Sequence, residues 1–218
     1  MGMIMTSPLT IAVVVIVLLW FAVGIQWNIR KGNALLRWLQ GGLPLLGKRT
    51  TLRWLGSSVV ELKITQLNEP FLDAEVLVVL EPRDVGPLWG WGRLHGRRDF
   101  LILRGRLPRS PRFEVEVGDR RGWTGREGLR HLALSDWQSG DWGDPNLQVA
   151  HSGGRASQVA QRLWGEFQKS SKGVWRLSVR RRHPHVEVHL MPPDTRQVDA
   201  GPLFQTFRKL SDAAITEA

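Results

Sequence analysis

The chain has no cysteine and no tyrosine. Without cysteine, disulfides, thiolate zinc sites, iron–sulfur clusters and a cysteine nucleophile are all excluded. A cysteine-free chain suits any redox compartment, so this absence does not locate the protein. Without tyrosine, the amphipathic aromatic role falls to tryptophan, which occurs 11 times. A third absence is local: no residue before Arg30 is charged, and no acid occurs before Glu61. Familiar catalytic signatures are missing as well. There is no G-x-S-x-G, no G-x-x-x-x-G-K-[ST] and no H-E-x-x-H, and "GWTGREG" (122–128) lacks the dinucleotide-binding spacing.

What fills the uncharged start is apolar. Pro8 to Ile25 is a run of 18 uncharged residues, which as a helix reaches ~27 Å against a hydrocarbon core of ~30 Å. The β-branched stretch Val13 to Val17 is a poor helix in water, but in lipid the backbone must satisfy itself and helix is the single-segment solution. Trp20, Trp27 and Trp38 are placed for an aromatic belt. A cleaved signal peptide carries its positive charge ahead of the apolar run. Here Arg30, Lys31, Arg37, Lys48, Arg49 and Arg53 all follow it. The expectation is a single-pass, uncleaved anchor over residues 1–27 in the cell membrane. The positive-inside rule puts the N-terminus outside and the remainder in the cytoplasm.

Residues 28–48 are a basic juxtamembrane segment. Its leucines suit either a short helix lying on the bilayer to about Gln40, or packing beneath the domain that follows. Residues 49–218 are about one domain's worth of chain. The composition, 42% hydrophobic and 23% charged, is that of an ordinary globular protein. Alternating runs at 57–64, 71–82, 99–108, 112–119, 173–182 and 185–192 predict strands. Hairpins are expected across Pro108–Pro111 and across His183-Pro184. Residues 86–98, broken by glycines, are expected to form no stable helix. Amphipathic helices are expected at 155–169 and at 201–214. The fold class is therefore α+β: a membrane helix, then a mainly antiparallel sheet with two C-terminal helices.

Thirty Lys and Arg against 20 Asp and Glu give a net charge of +10. The leading functional expectation is a membrane-anchored accessory or scaffold protein. Its basic, Trp-bearing face would meet anionic lipid headgroups of the bilayer, or a membrane protein complex, through Arg30, Lys31, Arg37, Trp38, Trp89, Trp91, Arg93, Arg97 and Arg98. No catalytic residue and no cofactor is assigned. Two alternatives stand beside this reading. His185, Glu187 and His189 alternate along one strand and so share a face, a ligand set suited to Zn²⁺ in a metal-dependent hydrolase. A further ligand would come from His183 or the polar loop 135–146. Against it, His and Glu also suit a solvated outer strand face. A membrane-tethered nucleic-acid-binding module is the other alternative, disfavoured because no recognition motif accompanies the arginines.

Overall fold

The computed structural model describes residues 7–130, 137–152 and 155–217. Ser135 and Asp136, at the start of the polar loop considered above, lie outside the described residues. The fold is α+β. A long helix α1 (Pro8–Leu39) leads into β1 (Gly47–Trp54), β2 (Val59–Leu67) and β3 (Asp73–Val79), then α2 (Gly86–Leu94) and β4 (Phe100–Arg106). There follow β5 (Glu114–Asp119), α3 (Trp123–Arg130), β6 (Gln138–Gly140) and β7 (Leu147–Ser152). The chain closes with α4 (Ala156–Lys169), β8 (Gly173–Val179), β9 (Val186–Met191) and α5 (Gly201–Thr216).

The nine strands form one antiparallel sheet in the order β1-β2-β3-β4-β9-β8-β5-β7-β6. The expected β8–β9 hairpin forms, with Ser178 opposite Glu187. The expected β4–β5 hairpin does not: β8 and β9 lie between those two strands. Pro108 and Pro111 donate no backbone hydrogen, so this segment cannot continue a ladder. Instead Leu107 and Phe113 sink into the core, and the Arg112 amide donates to the Ala214 carbonyl of α5 at 2.8 Å. Strand β1, which the alternation did not predict, is an edge strand exposed on nearly its whole length. Lys48, Arg49 and Arg53 blunt that edge against further pairing.

One face of the sheet carries the main core. Val76, Val78, Leu101, Leu103, Val186, Val188, Leu177 and Val117 meet α4 and α5 there. α4 contributes Val159, Leu163 and Phe167, and α5 contributes Leu203, Phe204, Phe207 and Leu210. The same cluster takes Leu35, Leu36 and Leu39 from α1.

α1 therefore does not end with its apolar stretch. It runs unbroken for 32 residues. Its first half is exposed, and it is long and apolar enough to cross a membrane. Of the two arrangements open for residues 28–48, the leucines take the second and pack beneath the domain. Trp38, expected at the lipid interface, is buried, and its Nε1 donates to the Val198 carbonyl at 2.7 Å.

Residues 86–94 also depart from expectation by forming a helix, α2. Helix propensity is a weak prior that tertiary contacts override. Pro87 suits the first turn. Gly92 is buried under the Arg97 side chain, where a Cβ would sit 3.3 Å from Arg97 Cδ.

Candidate membrane interface and the polar lock beneath it

α2 connects β3 to β4, which are neighbours in the sheet, and the feet of this excursion grip α1. On α1 the contact face is Gly24, Asn28 and Gly32, four residues apart and so stacked on one side of the helix. A Cβ on Gly24 would lie 2.5 Å from the Arg83 carbonyl and the Asp84 backbone; one on Gly32 would lie 2.6 Å from Trp54. Absence of side chains at both positions lets the domain's backbone and a tryptophan ring close onto the helix. Asn28, fully buried, donates through Nδ2 to the Glu81 carbonyl at 3.1 Å and accepts at Oδ1 from Arg83 Nη1 at 3.0 Å.

Around this asparagine the charges pair. Arg83 makes a two-pronged contact with Asp99, at 3.0 and 2.9 Å, and the Glu81 amide donates to Asp99 Oδ1 at 2.8 Å. Lys31 of α1 forms an ion pair with Asp99. Glu81 accepts from Trp89 Nε1 at 2.7 Å and from Arg93 Nη1 at 3.2 Å, which ties α2 to the same cluster. Burial opposes the charge on Asp99, but the Arg83 and Lys31 hydrogen bonds outweigh it and hold the carboxyl below its ordinary range. Glu81, Arg83 and Asp99 are all buried, so each charge depends on its partners.

Above the lock lies the apolar half. Trp20 donates through Nε1 to the Arg83 carbonyl at 3.0 Å, and its ring sits 6.2 Å from that of Trp89. α2 thus lies beside the apolar half of α1, at the level of Trp20. Its outward residues Val85, Leu88, Trp91 and Leu94 are exposed, Leu94 at 87%.

The residues expected to meet a membrane therefore divide. Arg30 and Arg37 are exposed, with no ion-pair partner among the described residues. Trp91 is exposed and packs on His95 and edge-on to Trp123 of α3. Lys31, Trp89 and Arg93 are committed to the lock. Arg97 covers Gly92, and Arg98 donates to the carbonyls of Arg93 and Arg97. Residues 24, 28, 80–84 and 99 were not singled out from the sequence. The spacing of Gly24, Asn28 and Gly32 was the available signal.

The His185, Glu187 and His189 side chains do share a face, but that face is not solvated: all three residues are buried. The strand register explains why. Glu116, Ser178, Glu187, Arg104, Glu75 and Lys63 stand opposite one another in a single row across β5, β8, β9, β4, β3 and β2. Glu187 receives Arg104 Nε at 2.6 Å, Arg176 Nη1 at 2.8 Å and His189 Nε2 at 2.9 Å. Glu116 is held by Arg176, by Ser178 Oγ at 2.6 Å and by Arg180 at 2.9 Å. α3 closes over this row, with Gly128 against Arg176 and Glu116.

Burial by itself would raise the Glu187 pKa. The His189 hydrogen bond and the charges of Arg176 and Arg104 outweigh it and push the pKa down to about 2. Burial lowers the pKa of His189 and of His185, which keeps both rings neutral at neutral pH. His185 Nδ1 accepts the Leu107 amide at 3.0 Å and is thereby used. Among the described residues, no group of three or more His, Asp or Glu side chains is arranged to hold a metal ion. In the polar loop, Asp141 and Asp144 accept amides two residues ahead, as turn-forming aspartates do.

Compared with known proteins, the chain matches no family model and no curated protein.

Proposed function

We propose that the chain is a single-pass, membrane-anchored accessory or scaffold protein. Its basic α+β domain faces the cytoplasm and is seated on the anionic leaflet. The observation that carries this reading is the continuity of α1. One unbroken helix presents an apolar stretch of membrane-spanning length and then enters the domain's core. A flexible tether would let the domain drift from the bilayer, whereas a helix locked through Gly24, Asn28, Gly32 and Lys31 holds it at fixed height. The exposed apolar side of α2, level with Trp20, then reaches into the bilayer surface, and Arg30 lies at the headgroup level, where a basic residue gains about 1 kcal/mol against anionic lipid. Orientation follows from the basic residues after the span.

Two measurements on the full-length protein test the proposal. A C-terminal reporter that works only outside the cytoplasm is expected to stay silent; strong activity reverses the orientation. Gentle extraction from native membranes is expected to recover a stoichiometric membrane partner. Recovery of the chain alone removes the scaffold role.

A further inference from the structure

We infer that the crevice between α1 and α2 is a binding site for one anionic phospholipid, with an acyl chain along α1 and the phosphate at Arg30. This deepens the membrane-seated reading above and rests on it. The crevice has a volume of about 360 Å³ and is lined by Ile16, Leu19, Trp20, Val23, Trp27 and Trp89. Next to it, toward the C-terminal end of α1, a second concavity of about 550 Å³ shares Val23 and Trp27 and ends on Gln26, Arg30 and Lys31. Together they form one stripe along the helix, apolar toward its N-terminus and cationic toward the lock.

Length and charge both match a phospholipid. From Ile16 to Trp27 a helix rises about 16 Å, close to one leaflet's share, about 15 Å, of the hydrocarbon core. Hydrocarbon cannot leave several hundred Å³ of apolar crevice empty, because the lining would lose its dispersion contacts. A chain therefore occupies it, and the head end decides which lipid. Lys31 is already paired with Asp99. Arg30 has no acidic partner among the described residues and is the unspent charge at the mouth. The Arg83 guanidinium, 5.9 Å from the Trp27 ring centre, stiffens the upper wall. One cation near the surface corresponds to roughly five-fold in affinity for an anionic headgroup.

Native mass spectrometry of the full chain in detergent, titrated with phosphatidylglycerol or phosphatidylcholine of identical acyl chains, tests the site. One phosphatidylglycerol is expected to be retained, preferred by roughly five-fold or more. Arg30→Gln should reduce that preference about five-fold without unfolding, since the side chain is exposed. Val23→Trp, which fills the crevice from an exposed position, should abolish retention of both lipids. Glycerol phosphate, which has no chain, should not displace the bound lipid. Equal retention of the two lipids, an unchanged preference in Arg30→Gln, displacement by glycerol phosphate, or a lipid-free dimer occupying the face would each overturn the inference. A spin label at position 88 reads the seat separately. A lipid-exposed label with unselective retention defeats the lipid site alone, and a water-exposed label defeats the seat beneath it.

Discussion

The two halves of α1 are one helix under two different sets of rules. From Pro8 to Val23 every residue is exposed; from Gly24 to Leu39 buried positions recur along one side. Large apolar side chains make up the first half, which is long and apolar enough to cross a membrane. Small and polar residues serve the second at Gly24, Asn28 and Gly32, because there the helix must admit another backbone and satisfy its amides and carboxylates. Hydropathy identifies the first half and is blind to the second. The join matters most: in the proposed anchor, a helix that passes from bilayer to domain without a break would transmit the orientation of the membrane to the domain.

The largest effect that would break this comparison lies in the lock. Asp99→Ala removes the two-pronged partner of the buried Arg83, leaving it Glu81 at 3.2 Å, and removes the partner of Lys31. A loss of about 3 kcal/mol is expected, the low end of the cost of removing one partner from a buried ion pair. Denaturant unfolding followed by tryptophan fluorescence measures it, and a loss below about 1 kcal/mol would mean that the lock contributes little.

Acidification sharpens the comparison by loading the domain interior and the lock together. Glu187, with a folded pKa of about 2 against an ordinary 4.5, stabilises the fold fully above 4.5 and loses that contribution as pH falls toward 2, up to about 3 kcal/mol. Asp99 acts in the same direction below 3.8. His185 and His189, lowered from 6.5, resist protonation in the fold while the unfolded chain takes it up, so they too destabilise on acidification below 6.5. Tm should be flat above about 6.5 and fall below it. Glu187→Gln should flatten the part below 4.5, and an unchanged slope in that variant would contradict the assignment.

A smaller effect separates the halves themselves. Gly24→Ala places a Cβ on the Arg83 and Asp84 backbone and is expected to cost about 1–3 kcal/mol, with faster proteolysis at 80–98. The neighbouring Val23→Ala, on the exposed side, should change domain stability by less than about 0.5 kcal/mol. Equal effects at both positions would show that the helix does not dock as described.

Periodicity made much of the fold legible. β2, β3, the β8–β9 hairpin, α4 and α5 all follow from residue spacing. It failed where the decisive partner is distant. The β4–β5 hairpin looked local because Pro108 to Pro111 resembles a turn, while the strands that separate β4 from β5 come some 60 residues later. The alternation of His185, Glu187 and His189 places them on one face, as the structure has it. Their burial is not legible there, because Arg104, which neutralises Glu187 from across the ladder, is 83 residues away. α2 was hidden by its glycines. Gly24, Asn28 and Gly32 were hidden by the hydropathy of their neighbours.

The central claim is that the domain is seated in the bilayer surface by α2 alongside α1. The absence of cysteine makes single-site labelling direct. A spin label at Leu88→Cys in the full-length protein, reconstituted in vesicles containing phosphatidylglycerol, reports immersion depth by power saturation. Trp20, the level α2 reaches, lies five residues inside Ile25, about 7.5 Å along the helix. The label is therefore expected about 5–10 Å inside the hydrocarbon boundary, the depth of an interfacial helix, with oxygen accessible and aqueous nickel excluded. A label at Leu88 as open to nickel as one at Gln205→Cys, on the exposed side of α5, would contradict the account.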